Sequence, residues 1–275
     1  MIGPDGAAPP VPPLLPGDPP LAILVDYDGT VALTDVSDTV MAEHVPGVWE
    51  AEVAAYDAGL AGSRRLMEFE MGLVDAPPAD LLATAAAQPH DPGFVPFVRS
   101  AQRAGIPVEV VSDGFGFFIR PALELLGVAE LPVVTARTTF TGRRAAIDYP
   151  NGNPDCLVCG TCKRSRVLWH RAAGRHVVFV GDGYSDLYAA GHADTVFAKA
   201  HLAQLCEQRG WPFRPWTDFA TISASIDADL AAGRFDGPGP MTYRCGPEVW
   251  PVGTRAPRWG DLMGPQTVVP TTEAG

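Results

Sequence analysis

Three short, continuously apolar runs, each closing on a small or acidic polar residue beside a glycine, constrain this chain more than any other feature. Leu21-Ala-Ile-Leu-Val25 runs into Asp26, Pro107-Val-Glu-Val-Val111 into Ser112-Asp113-Gly114, and His176-Val-Val-Phe-Val180 into Gly181-Asp182-Gly183. Runs of this length with no polar alternation read as strands of a parallel sheet covered on both faces. Residues 131–135 and 195–198 suit two further strands. Helical patterns fill the gaps, among them 117–126 before Gly127 and 163–173 before Gly174, each glycine placed as a helix stop. Strands alternating with helices predict a doubly wound, mostly parallel, Rossmann-like α/β core. In such sheets ligands bind beyond the C-terminal ends of the strands, where all three polar closures fall.

One interval breaks the alternation. Residues 38–88 show no strand but three or four helix-like segments, at 39–44, 48–60, 63–72 and 79–88. An all-helical insertion of that size does not fit inside the sheet, so a cap enclosing a ligand is expected. The expected organisation is a Pro-rich tail over 1–20, a core over 21–37 and 89–230, a helical cap over 38–88 and a Gly/Pro-rich tail over 231–275.

Composition agrees with this division. The 275 residues include 29 Gly and 28 Pro, near the level of low-complexity chains. Eight of the prolines lie in residues 1–20, and residues 233–275 hold seven more with eight glycines, so the middle is ordinary globular sequence. Both tails are expected to be mobile and without a catalytic role, with Trp250 and Trp259 able to pack locally on the core. Most of the net charge of −12 falls on the middle, which argues against a nucleic-acid partner held through its phosphates. An anionic substrate then needs locally placed positive charge. No apolar run approaches the roughly 18 residues of a membrane span, and the start lacks the basic and apolar stretches of a secretory signal. A cytoplasmic monomer or homodimer with no membrane partner is expected.

Three of the five cysteines, Cys156, Cys159 and Cys162, form a C-x-x-C-x-x-C run. That spacing suits reduced thiols or a metal site better than a disulfide framework. A structural Zn2+ needs a fourth ligand, for which Cys206 or His170 is a candidate.

The strand ends carry the chemistry. Asp26 and Asp28 set two carboxylates two residues apart, and like charges so close call for a cation or a shared proton. Asp182 and Asp186 add two more at another strand end. Asp182 beside Asp26 would offer oxygen ligands to Mg2+, which favours one or two carboxylates with waters and a substrate phosphate. Ser112, with Asp113 and Gly114 behind it, precedes a helix and can hold phosphate oxygens through its hydroxyl and nearby N–H groups. Lys163, at a helix start, is a compact charge suited to a phosphate. Taken singly, each has an ordinary reading as a turn residue, a cap or a surface charge.

Taken in order, Asp26-x-Asp28-Gly-Thr, Ser112, Lys163 and Gly-Asp182-x-x-x-Asp186 resemble the four motifs of the haloacid dehalogenase superfamily of aspartyl-phosphate phosphatases, over residues 21 to about 220. The helical insertion resembles the cap of the phosphoserine-phosphatase-like subgroup. The stretch from Asp148 to Lys163, the Phe197-Ala-Lys segment with Leu202 and Cys206, and Phe213 to Phe219 resemble the branch of methionine salvage that dephosphorylates 2-hydroxy-3-keto-5-methylthiopentenyl phosphate. One residue departs from that branch: Asp113 stands where Gly is usual, as in phosphoethanolamine and phosphocholine phosphatases.

The resemblance implies a phosphatase of small phosphomonoesters with Asp26 as nucleophile and Asp28 as acid and base. Mg2+ would be held by Asp26, the Asp28 carbonyl and Asp182 with support from Asp186, and Ser112 and Lys163 would offset phosphoryl charge. Asp35, nine residues after Asp26, lies where phosphoserine phosphatases carry an acid that meets the substrate amine. Asp35 and Asp113 thus keep amine-bearing substrates in contention, and cap residues such as Ser63, Arg64 and Arg65 are expected to decide the choice. Phosphotransfer to an alcohol would use the same residues. A catalytically silent phospholigand-binding protein is the reading from another class, while Asp28 counts against a dehalogenase, whose halide leaving group needs no proton.

Overall fold

The computed structural model of the protein describes residues 6–240 except positions 46, 48, 58–60, 155 and 157. Six strands form one parallel sheet: β1 (Leu21–Val25), β2 (Val108–Val111), β3 (Val133–Val134), β6 (His176–Gly181), β7 (Thr195–Ala198) and β8 (Arg214–Pro215), in the order β3-β2-β1-β6-β7-β8. The chain leaves β1 first toward β2 and later returns to its other side with β6, so the strand order reverses at β1. Val25 pairs with Val110 on one flank and Val180 on the other. All five residues of β1 are fully buried, because helices cover both faces. Each such aliphatic side chain contributes roughly 1.5–3 kcal/mol by leaving water.

Leu21, Ile23 and Val25 point to the face where α5 (Phe94–Arg103), α6 (Ile119–Leu125) and α10 (Phe219–Ala231) supply Phe94, Ile119 and Phe219. Leu24 points to the face covered by α7 (Lys163–Ala172), α8 (Leu187–Ala190) and α9 (Ala200–Arg209), through Val167, Ala189 and Leu202. Glu109, the polar residue inside the β2 run, is buried there and meets the Arg166 guanidinium, with His170 Nε2 at 3.1 Å. Its charge is thus paired, and these partners hold its pKa down against the effect of burial.

Between β1 and β2 the described elements are α1 (Val36–His44), α2 (Glu50–Asp57), α3 (Ser63–Leu73) and α4 (Pro78–Ala86), with α5 leading back to the sheet. Val40, Met41, Met67, Met71 and Leu81 of this stretch join the apolar cluster of the sheet's first face. A hairpin of β4 (Arg137–Thr141) and β5 (Arg144–Asp148) turns at Gly142, where φ is 61°. It docks on the α3–α4 junction, with Arg143 Nε 2.8 Å from Asp75 and the Ala76 N–H donating to Arg143 O at 3.1 Å.

The expectation of a mobile N-terminal tail fails over residues 6–20. Arg166 donates to Pro9 O at 2.8 Å, Arg175 to Pro12 O at 2.7 Å, and Ala8 N to Asn151 Oδ1 at 2.8 Å. A proline-rich stretch has few N–H donors of its own, and two buried guanidinium groups take up the carbonyls of Pro9 and Pro12. Cys245, Trp250 and Trp259 lie outside the described residues. Among the described residues no helix is long and apolar enough to cross a membrane.

Candidate active site

Asp26 still belongs to the sheet through its N–H, which donates to Val180 O at 2.9 Å. Its Oδ1 accepts from Tyr27 N at 2.7 Å and lies 2.7 Å from Lys163 Nζ. The following turn, Tyr27–Val31, needs Gly29: its φ is 66°, and a Cβ there would sit 2.2 Å from Asp182 Oδ2. Thr30 closes the same approach by donating its hydroxyl to Asp182 Oδ1 at 2.7 Å. The β1 turn is therefore built against the end of β6.

Lys163, the first residue of α7, is 2% exposed, and its Nζ lies 2.7 Å from both Asp26 Oδ1 and Asp186 Oδ1. Asp186 is held in turn, since its Oδ2 accepts from the N–H groups of Asp182 at 2.9 Å and Gly183 at 3.0 Å. Oxygens of Asp26, Asp182 and Asp186 all lie within 4.8 Å of one another. Three carboxylates thus face one ammonium. Burial, followed by the Asp186 charge, pushes the Asp26 pKa well above the carboxylate range and that of Asp182 to about 6. Burial opposes the Lys163 charge, but Asp186 and Asp26 outweigh it and hold its pKa above the ordinary lysine value.

The Asp28 carboxylate turns away from this cluster. Its Oδ1 accepts from Val36 N at 3.0 Å, at the start of α1, and a Cβ on Gly114 would come within 2.5 Å of its Oδ2. Burial and the neighbouring Asp35 raise its pKa, which suits a carboxyl that carries a proton. Asp35 caps α1 by accepting from Asp38 N at 2.8 Å. Ser112 is fully buried, and its Oγ accepts from Gly114 N at 3.1 Å. Asp113 accepts from Ser63 Oγ and from Thr161 N, and burial nevertheless pushes its pKa to about 6.

Asp26, Asp28, Asp35, Ser112, Asp113, Gly114 and Asp182 line one cavity of about 530 Å3. Lys163 and Asp186 stand directly behind Asp26. Further lining comes from the helices after β1, including Asp38, Tyr56, Ser63, Met67 and Glu70, and from Tyr184 and His201, whose rings stack at 4.7 Å. Sequence reasoning missed Thr30, Glu70 and Lys199. Thr30 was readable in the Asp-Gly-Thr turn, and the signal for Glu70 was its seven-residue spacing from Ser63 on one helix face.

Two expectations are corrected. Arg64 and Arg65 do not line the cavity: Arg64 pairs with Glu68 at 3.2 Å and lies over the Tyr149 ring, and Arg65 pairs with Glu52 at 3.0 Å. Zinc is not supported either. Among the described residues, Asp26, Asp182 and Asp186 are the one group of three metal-ligating side chains brought to ligand distance, and Cys156, Cys159 and Cys162 form no such group. Cys206 is buried in the apolar layer under α9, and His170 is turned to Glu109.

The haloacid dehalogenase-like hydrolase profile matches residues 23–191, from within β1 to the residue after α8. The chain belongs to this family. The hydrolase is similar to the 2-hydroxy-3-keto-5-methylthiopentenyl-1-phosphate phosphatase of Lysinibacillus sphaericus (strain C3-41), with 32% identity over 211 residues covering 72% of this chain and 90% of that protein. It is similar to the protein of the same name from Geobacillus kaustophilus (strain HTA426), with 32% identity over 215 residues covering 76% and 94%. A solved phospho-aspartyl intermediate analogue of phosphoserine phosphatase superposes with a TM-score of 0.57 at 17% identity, covering 78% of this hydrolase and 99% of that chain. That likeness bears on the fold, and the doubly wound parallel core expected from the sequence is the one observed.

Proposed function

We propose that the protein is a Mg2+-dependent phosphomonoesterase that transfers the phosphoryl group to Asp26 and then to water. The observation that carries this reading is Lys163 Nζ set 2.7 Å from both Asp26 and Asp186, with Asp182 in the same oxygen cluster. The donor set fits Mg2+: it is all oxygen, and it brings three buried or half-buried carboxylates within 4.8 Å of one another, an arrangement that calls for a cation. Asp26 and Asp182 would hold the ion, which when bound supplies charge neutralisation on the phosphoryl oxygens.

With Oδ1 held by Tyr27 N and Lys163, Asp26 attacks phosphorus through its other oxygen, forming a P–O bond as the bond to the leaving oxygen breaks. Asp28 gives its proton to that leaving oxygen, then takes one from the water that releases inorganic phosphate. Ser112 and Lys163 offset charge on the transferring group, and Asp186 orients Lys163. A silent phospholigand-binding protein would not need Asp26, Lys163 and Asp182 to converge.

The substrate reading favoured is 2-hydroxy-3-keto-5-methylthiopentenyl-1-phosphate, for which the similar curated proteins are named. Two site features support it over amine-bearing esters. Asp113 is engaged by Ser63 and Thr161, and Asp35 by the start of α1, so neither acid is left without a protein donor. Phosphoserine also brings a carboxylate, and among the described residues the cavity lining carries eight Asp and Glu side chains against Lys199 and no arginine. The test is phosphate release with Mg2+ from this compound, phosphoserine, phosphoethanolamine and phosphocholine. Highest kcat/KM on the first is expected, and preference for an amine-bearing ester would reverse the substrate reading.

A further inference from the structure

Ser63, Leu66, Met67 and Glu70 lie on one buried face of α3, and all four line the cavity. Ser63 is committed to Asp113. Glu70, seven residues and roughly 10 Å further along the helix, is 3% exposed, and its Oε1 is buried with no hydrogen-bond partner among the described residues. A buried polar atom left unsatisfied on a cavity wall is the kind of group a ligand completes.

The surroundings of Glu70 set what it offers. Burial comes first and the charges of Asp38 and Asp35 second in pushing its pKa to about 9. Asp38, itself pushed to about 7, lies on α1, and Asp35 caps the start of that helix, where burial outweighs its backbone hydrogen bonds and raises its pKa. Glu70 is therefore a neutral carboxylic acid at pH 7, with one O–H to donate and a carbonyl to accept. Leu66 and Met67, between Ser63 and Glu70, give a carbon chain an apolar surface to cross.

We propose that Glu70 is a specificity-determining residue that binds a hydroxyl or carbonyl oxygen on the leaving group, so that the preferred substrates are phosphomonoesters of oxygen-bearing carbon chains. The inference rests on the phosphomonoesterase reading and adds the residue that selects among esters.

Three substrates and two variants test it: 2-hydroxy-3-keto-5-methylthiopentenyl-1-phosphate, p-nitrophenyl phosphate and phosphoethanolamine, with Glu70→Ala and Glu70→Gln. Loss of the hydrogen bond in Glu70→Ala is expected to raise KM for the hydroxyketone ester roughly tenfold, several times more than for p-nitrophenyl phosphate. Glu70→Gln, neutral and still a donor, is expected to bring that KM back to within about threefold of wild type. The proposal is overturned if Gln is as damaging as Ala in a protein no less stable to heat than wild type, or if Ala raises both KM values equally. It is also overturned if phosphoethanolamine is the best substrate and Glu70→Gln abolishes its binding, since Glu70 would then be reading a cation. A wild-type enzyme that releases phosphate from none of the three refutes the phosphomonoesterase reading itself.

Discussion

Ser63 on α3 donates its hydroxyl to the carboxylate of Asp113 at the end of β2, tying a helix of the insertion to the sheet edge across the cavity. Thr161 N adds a second donor at 2.6 Å from the loop that leads to Lys163. One carboxylate thus joins three segments that bound the substrate space, and the α3 face carrying Glu70 is placed by the same contact.

Ser63→Ala removes one of those donors. The hydrogen bond favours ionised Asp113, so its loss is expected to raise the Asp113 pKa beyond about 6. Urea unfolding should show a loss of about 1 kcal/mol at pH 8, where the carboxylate is charged. The difference from wild type should shrink below pH 5. A loss that is the same at both pH values would show that Ser63 acts by packing alone.

Asp26→Asn keeps the size of the side chain and can still accept from Tyr27 N and Lys163. Turnover is expected to fall by at least about 10^3-fold, because an amide oxygen does not form the acyl phosphate. Circular dichroism and thermal unfolding should stay close to wild type. Mg2+-dependent phosphate release above a few per cent of wild type would remove Asp26 from the nucleophile's role.

Glu70 gives the protein a pH signature independent of catalysis. Its folded pKa of about 9 stands above the ordinary value of 4.5, so between those values the folded state holds a proton that the unfolded state has lost. Its contribution to stability is therefore fully present below about pH 4.5 and is lost progressively as pH rises toward 9. Glu70→Gln is expected to unfold less readily than wild type at pH 8, by up to about 5 kcal/mol, at about 1.36 kcal/mol for each pH unit above 4.5. The two should converge near pH 5. Equal unfolding free energies across that range would mean that Glu70 is not the buried neutral acid described here.

Legibility followed burial. β1, β2 and β6 were readable because strands covered on both faces must be continuously apolar, and their closing residues then marked the site. The β4–β5 hairpin was not, since Arg137-Thr-Thr-Phe-Thr141 is half exposed and its short polar alternation resembles a loop. Arg64 and Arg65 looked like substrate residues because sequence gives a charge but not its partner, and Glu68 and Glu52 turned out to be those partners. Glu70 failed in the opposite direction: its spacing puts it on the helix face of Ser63, but a glutamate on an amphipathic helix reads as solvated, and its burial comes from tertiary packing. The pinning of residues 6–20 by Arg166 and Arg175 joins positions more than 150 apart in the chain, beyond any local pattern.

Metal removal tests the acid cluster directly. Asp26, Asp182 and Asp186 set three carboxylates around one lysine, so a bound divalent cation should stabilise the folded state by mass action, by about 2.7 kcal/mol at a hundred times its Kd. That corresponds to an upward shift of several degrees in the unfolding midpoint on adding Mg2+ to chelator-treated protein, with activity restored in parallel. Asp182→Asn is the informative variant, because its amide oxygen can still accept from Thr30 and preserve the turn while one ligand charge is lost. Both the Mg2+ shift and the activity are expected to fall sharply in it. An undiminished shift in Asp182→Asn would place the cation elsewhere, and full activity in chelator would exclude a metal requirement.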